Sequence, residues 1–246
     1  MTSGLAPGAG ADLYFERRGA GPALLLITGG GGDSAYYAGL AEILAGDFTV
    51  LTYDRRGNSR SRLHGEPRPL SLAEQSADAI AVLGANGFPA ALVFGNSGGA
   101  TIALDLAARH PAAMTAMVCH EPPVPAVLPD AGACLAVYDE MDRLLRDDGW
   151  QAAFTHFQTV VGRLPPYAVD LLLNPAEHVP PGAARELMLR VAGNWEFMTR
   201  YEIRPFIDYR PGLARIRGNR VRIALAHGAE TVDPAAIEMT RAAARL

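Results

Sequence analysis

Residues 91–106 read ALVFGNSGGATIALDL, and their interpretation decides the fold. Ala91 to Asn96 is a short apolar run, the pattern of a strand buried on both faces. From about Gly98 a helical pattern begins, and it stops at Arg109-His110-Pro111. Between them, Gly95-Asn96-Ser97-Gly98-Gly99 satisfies G-x-S-x-G in the strand-to-helix context that this motif requires. A serine on so sharp a turn is held in a strained conformation with its hydroxyl projecting above the sheet. Only small residues two before and two after it let strand and helix approach that closely. The helix aims its first amides and positive dipole end at the same spot, which suits a developing oxyanion. The competing reading is a glycine-rich turn carrying a passive serine. The flanking strand and helix weigh against it.

Outward from this motif the chain alternates strand and helix. Ala23–Thr28 (ALLLIT), Phe48–Tyr53 (FTVLTY), Met114–His120 (MTAMVCH) and Val221–His227 (VRIALAH) read as further strands. Ser34–Ala45 reads as a helix. Ser71-x-x-Glu74 is a capping box opening a helix to about Gly84. Asp233-Pro234 starts a last helix, with Asp as N-cap and Pro at the first helical position. Strands alternating with helices predict a doubly wound, mostly parallel α/β sheet with right-handed crossovers. The stretch from Glu121 to about Arg204 breaks the rhythm. It opens on the proline-rich PPVPAVLP and continues in helical patterns over Cys134–Asp148, Gly149–Val161 and Ala183–Tyr201. It reads as a helical lid over the strand ends. The expected division is therefore a core at 1–120, a lid at 121–204 and returning core at 205–246.

Three further segments, ITGGGGDS (27–34), YDRRGNSRS (53–61) and HEPP (120–123), join GNSGG in a pattern that resembles the α/β-hydrolase fold over nearly the whole chain. The resemblance implies a serine hydrolase with Ser97 as nucleophile. It also implies an oxyanion hole built from the amide of Gly98 and one from the glycine run, Gly30 first and Gly31 close behind. Family order is Ser, then Asp or Glu, then His. Two carboxylates stand where the acid is expected. Glu121 follows the strand after the nucleophile helix, and Glu230 lies in the loop after His227, where Asp233 is better explained as a helix cap. Glu121 and Glu230 stay open at this stage, with Glu121 slightly ahead.

The histidine departs from the pattern. Relatives carry it after one further strand, beyond the helix that here ends at Leu246. None of His64, His110, His120, His156, His178 and His227 holds that position. The expectation is a shortened chain lacking the last strand and helix, weakly active or inactive as written. Its unpaired sheet edge would invite a homodimer. A chain that has lost catalysis is the alternative.

Composition narrows the rest. The 246 residues carry a net charge of −4, which leaves no electrostatic footprint for nucleic acid or an anionic membrane. Every basic residue is Arg. With no Lys, Schiff-base chemistry and a phosphate-loop lysine are excluded. Cys119 and Cys134 sit in no ligand spacing and read as buried free thiols. No metal cluster or cofactor is implied, and no signal peptide or membrane span is evident, so the cytoplasm is the default. The expected partner is a small-molecule substrate. The leading reaction is hydrolysis of an ester, thioester or lactone through an acyl-enzyme. Epoxide or haloalkane hydrolysis ranks low because those relatives use an Asp nucleophile. A non-catalytic ligand-binding or signalling protein is supported only by the absent histidine. Phe154, Phe157, Trp195 and Phe197 are candidates for an apolar pocket, although at helical spacing aromatics are more often core.

Overall fold

The computed structural model describes residues 1–245. Eight strands form one mixed sheet in the order β1-β2-β4-β3-β6-β7-β8, with β5 paired to β2. The strands are β1 (Thr2–Gly8), β2 (Ala11–Arg18), β3 (Ala23–Ile27), β4 (Thr49–Tyr53), β5 (Arg62–Leu63), β6 (Ala91–Asn96), β7 (Met114–His120) and β8 (Arg222–Ala226). From β4 through β8 the ladder is parallel, and β1 and β2 are antiparallel additions. The five strands expected from apolar runs are all present. The N-terminal hairpin was not foreseen. Its β1 carries Pro7 and two glycines, a composition tolerable only because this strand forms the sheet edge.

Between the strands lie α1 (Ala38–Leu44), α2 (Leu72–Ala85) and α3 (Gly98–Arg109). The helix expected at 34–45 begins as a 3-10 turn over Ser34–Tyr37, capped by Asp33. α2 opens on the full capping box: Glu74 donates its amide to the Ser71 hydroxyl, and its carboxylate accepts from the Ser71 amide. Such a cap contributes about 1 kcal/mol. α3 is buried from Gly98 to Ala108 and packs Ile102, Leu106 and Ala107 under the sheet.

Between β7 and β8 run eight helices: α4 (Gly132–Asp147), α5 (Trp150–Val160), α6 (Pro166–Leu173), α7 (Pro175–His178), α8 (Ala183–Ala192), α9 (Asn194–Tyr201), α10 (Ile203–Ile207) and α11 (Leu213–Arg217). They have their own apolar core around Tyr138, Met141, Phe154 and Trp195. This helical stretch extends past residue 204 to Arg217. The single helix expected over 183–201 is broken at Gly193, which closes α8 and frees Asn194 to turn toward the sheet. α12 (Pro234–Ala244) starts as expected, with Asp233 accepting a hydrogen bond from the Ala235 amide. Among the described residues no helix is long and apolar enough to cross a membrane.

The strand order has one consequence for the site. The chain leaves β3 toward β4 on one side and leaves β6 toward β7 on the other, though β3 and β6 are neighbours. Connections that diverge from adjacent parallel strands open a crevice at their carboxyl ends. The glycine run follows β3 there, and Ser97 follows β6.

Candidate active site

Ser97 occupies the turn between β6 and α3 with φ 52° and ψ −124°, a conformation costing an L-residue about 1–3 kcal/mol. The neighbouring glycines explain how the turn closes. A β-carbon on Gly95 would lie 2.4 Å from the Gly99 carbonyl oxygen, and one on Gly99 would lie 2.1 Å from that of Ile27. The first helical bonds run from the Ala100 and Thr101 amides to the Ser97 carbonyl, at 2.9 and 3.2 Å. The Gly98 and Gly99 amides are therefore first-turn donors that the helix itself cannot satisfy.

The glycine run packs directly on this elbow. A β-carbon on Gly29 would stand 2.8 Å from the Asn96 carbonyl oxygen and 2.9 Å from the Ser97 β-carbon. Gly31 and Gly32 take positive φ of 77° and 58°, which glycine adopts without strain. Gly30 lines the cavity above Ser97, whereas the α-carbon of Gly31 faces the Trp195 ring and the Tyr36 hydroxyl. Asp33 closes the run and is fully buried. Burial pushes its carboxyl up, but hydrogen bonds from Arg190, the Ala35 amide and Ser59 outweigh it and hold the carboxyl below the usual range. Arg190 lies on α8, so this pair clamps that helix to the glycine loop at 2.6 Å.

Glu121 leaves the end of β7 with φ 52°, its amide bound to the Ala226 carbonyl at 2.9 Å. Its carboxylate accepts hydrogen bonds from the Gly228 amide at 3.2 Å and from the Thr231 hydroxyl. Glu121 lines the cavity. Glu230 is exposed and does not, so the two candidate acids occupy different places. Asp233 reaches the cavity wall while capping α12, 3.6 Å from an Arg163 guanidinium nitrogen. Of the four non-glycine residues with positive φ among those described, Ser97, Glu121 and Arg163 all line this cavity. Backbone strain concentrates where a site is built.

The cavity encloses about 700 Å³. Ser97 and Asn96 lie on its sheet side, and Tyr138, Phe157, Trp195 and Met198 line it from the helical region. Two of the four aromatic candidates thus reach the cavity. Phe154 is fully buried in the helical core, and Phe197 stacks beside Tyr201, with ring centroids 5.3 Å apart.

No histidine lines the cavity among the described residues. The His120 ring nitrogen Nδ1 lies 3.3 Å from the side-chain Nδ2 of Asn96, and its Nε2 lies 3.9 Å from Glu121. His227 pairs with the Gly228 carbonyl, His156 with the Val137 carbonyl, His178 with Asp170 and His64 with Asp12. His110 closes α3, as expected of a residue at a helix end. Cys119 is a buried free thiol, pushed up to about 12 by burial. Cys134 is half-buried at the cavity wall, its thiol also raised by burial. Among the described residues no group of three His, Cys, Asp or Glu could hold a metal ion.

Comparison with known proteins adds to this geometry. A family model described as the alpha/beta hydrolase fold matches residues 22–214. An uncharacterized hydrolase of Bacillus subtilis, YraK, is 44% identical over 113 residues, covering 46% of this chain and 42% of that protein. The RutD protein of Caulobacter vibrioides, whose name proposes a carbamate hydrolase, is 30% identical over 201 residues, 77% of this chain and 70% of its own. The match to the first of these relatives spans about two-fifths of its length. Among solved structures, an alpha/beta hydrolase from Sphaerobacter thermophilus is 28% identical at a TM-score of 0.58, covering 99% of this chain and 100% of its own. The enol-lactonase of Burkholderia xenovorans shares the fold at a TM-score of 0.67 and 18% identity, covering 97% of this chain and 87% of its own.

Proposed function

This chain belongs to the alpha/beta hydrolase fold family, and we propose that it is a serine hydrolase cleaving an ester, thioester or lactone of a small organic molecule through an acyl-enzyme on Ser97. The observation that carries this reading is the strained Ser97 elbow in the lining of a cavity that Glu121 also lines. In the first half-reaction the Ser97 hydroxyl oxygen attacks the substrate carbonyl carbon. Its proton passes to a base, and the carbonyl oxygen takes up the negative charge. The amides of Gly98 and Gly30 receive that oxyanion, each such donor being worth ~2.7–4 kcal/mol of transition-state stabilisation. Collapse of the tetrahedral intermediate breaks the bond to the leaving group, which departs with a proton. Water then repeats the attack on the acyl-enzyme and releases the acid. Glu121 is the carboxylate that orients the base, in preference to Glu230. The helices from α4 to α10 form the lid that shields the acyl group.

The cavity lining contains no histidine among the described residues. Added imidazole offers an external proton acceptor beside Ser97 and is expected to raise turnover. The test compares hydrolysis of p-nitrophenyl acetate and butyrate by the chain and by Ser97→Ala, with and without imidazole. Ser97-dependent turnover that imidazole raises is the expected result. Equal rates for both proteins at every imidazole concentration would end the serine-hydrolase reading. That outcome would leave a second reading standing, a non-catalytic ligand-binding or signalling protein using the same cavity.

A further inference from the structure

Arg55 follows β4, lies 1% exposed, and directs its guanidinium at three separate segments. One nitrogen donates to the Glu202 carboxylate at 2.5 Å and to the Gln75 side chain at 2.8 Å. The other donates to the second Glu202 oxygen and to the Gly29 carbonyl, both at 2.9 Å. Glu202 is fully buried between α9 and α10 and also accepts from Asn58 at 3.2 Å. A fork-to-fork pair this deeply buried is weak evidence for stability, because desolvation consumes the Coulombic gain. What it supplies is direction.

The direction matters because the Gly29 carbonyl and the Gly30 amide belong to one planar trans peptide unit. A donor that holds the oxygen from one side sends the N–H out the other, and Gly30 lines the cavity. Drawing on the carbonyl oxygen also polarises that amide into a stronger donor. The same lid region reaches two further points. Asn194 donates to the Gly31 carbonyl at 2.6 Å. Phe206 of α10 stacks over the Arg55 guanidinium at 5.5 Å and comes within 3.3 Å of where a β-carbon on Gly98 would stand.

We propose that Arg55, locked by Glu202, is a positioning residue that sets the direction of the Gly30 amide, so that the lid and the oxyanion hole form one mechanical unit. The inference rests on the serine-hydrolase reading above. It implies that any lid motion lifting Glu202 would dismantle the oxyanion hole. Substrate entry accordingly leaves α9 and α10 in place.

The test removes both charges at once, because deleting one would strand the other and unfold the chain. The Arg55→Met/Glu202→Leu variant is compared with the intact chain and with Arg56→Met/Asp78→Leu. The latter removes a second buried bidentate pair (2.6 Å) that does not touch the glycine loop. Fluorophosphonate modification of Ser97 in imidazole and kcat against KM for a p-nitrophenyl ester are the kinetic readouts. Hydrogen exchange across residues 29–33 is the structural one. The expected result for the Arg55 variant is a melting temperature comparable to the control's, a ~10²-fold fall in modification rate and kcat, and an unchanged KM. Faster exchange at 29–33 accompanies it, and the Arg56 variant keeps the wild-type rate within about twofold, ordinary for sites remote from a transition state. A folded Arg55 variant reacting at the wild-type rate, or one with unchanged exchange at 29–33, overturns the inference. A wild-type chain that never reacts at Ser97 defeats the underlying reading instead, and faster exchange in the variant would then leave only the mechanical clamp.

Discussion

The Ser97 amide donates a hydrogen bond to the His120 carbonyl at 2.8 Å, fastening the strand-to-helix turn to the end of the neighbouring strand. In the parallel register Asn96 stands opposite His120, so the next residue on each strand is a cavity residue, Ser97 on one and Glu121 on the other. Both leave their strands at φ 52°.

Ser97 strain predicts an inversion of the usual stability order. Ser97→Ala retains the β-carbon at positive φ, while Ser97→Gly removes it. Both variants lose turnover, but the Gly variant unfolds at higher urea, by about 1–2 kcal/mol relative to Ala. Equal midpoints would mean that the elbow stores no strain.

Gly99→Ala and Gly39→Ala should move in opposite directions. A β-carbon at Gly99 meets the Ile27 carbonyl at 2.1 Å, whereas one at Gly39, inside α1, meets nothing within 4 Å. The first change costs about 3 kcal/mol or more, since backbone must shift. The second gains roughly 0.5–1 kcal/mol through helix propensity. Thermal melts of the two proteins decide this, and a well-folded Gly99→Ala would contradict the packing of the elbow.

Glu121→Gln and Glu230→Gln separate the two carboxylates. With imidazole present, the first should lose at least ~10-fold in ester turnover, a part of what an orienting acid contributes in a complete triad. The second should change nothing, because Glu230 is exposed and outside the cavity lining. A reversed pattern would transfer the orienting role to Glu230.

The Asp33–Arg190 clamp gives a signed pH dependence. Asp33 is held below the ordinary carboxylate value of 3.8, so its ionised form is favoured in the folded state. Stabilisation from it is complete well above that value and is lost as pH falls through the lowered one. The stability advantage of wild type over Asp33→Asn should stay flat from neutral pH to about 5 and shrink on further acidification. A gap that instead widens on acidification would show that the Asp33 carboxyl is raised in the folded state.

Much of the core was legible because strands inside a parallel sheet appear in sequence as unbroken apolar runs, as in β4, buried at every residue, and in β3 and β6, where Leu24, Leu92 and Phe94 on one face are only half-buried. Caps were legible too, since Ser71 and Asp233 act on amides two or three residues away. The N-terminal hairpin was not, because a half-exposed edge strand containing Pro7 lacks that run. The break between α8 and α9 at Gly193 was not, because the Asn194 contact that follows it reaches Gly31, 163 residues away.

By itself, then, the sequence determined the strand–serine–helix turn, the glycine run and their place at strand ends, because each depends on residues within a few positions of one another. Tertiary structure alone decided which carboxylate enters the cavity and which histidines stay out of it. It alone joined Arg55 to Glu202 across 147 residues. Such pairings are set by strand order, register and the packing of the helices between β7 and β8, where many distant contacts act together and no local spacing records the outcome.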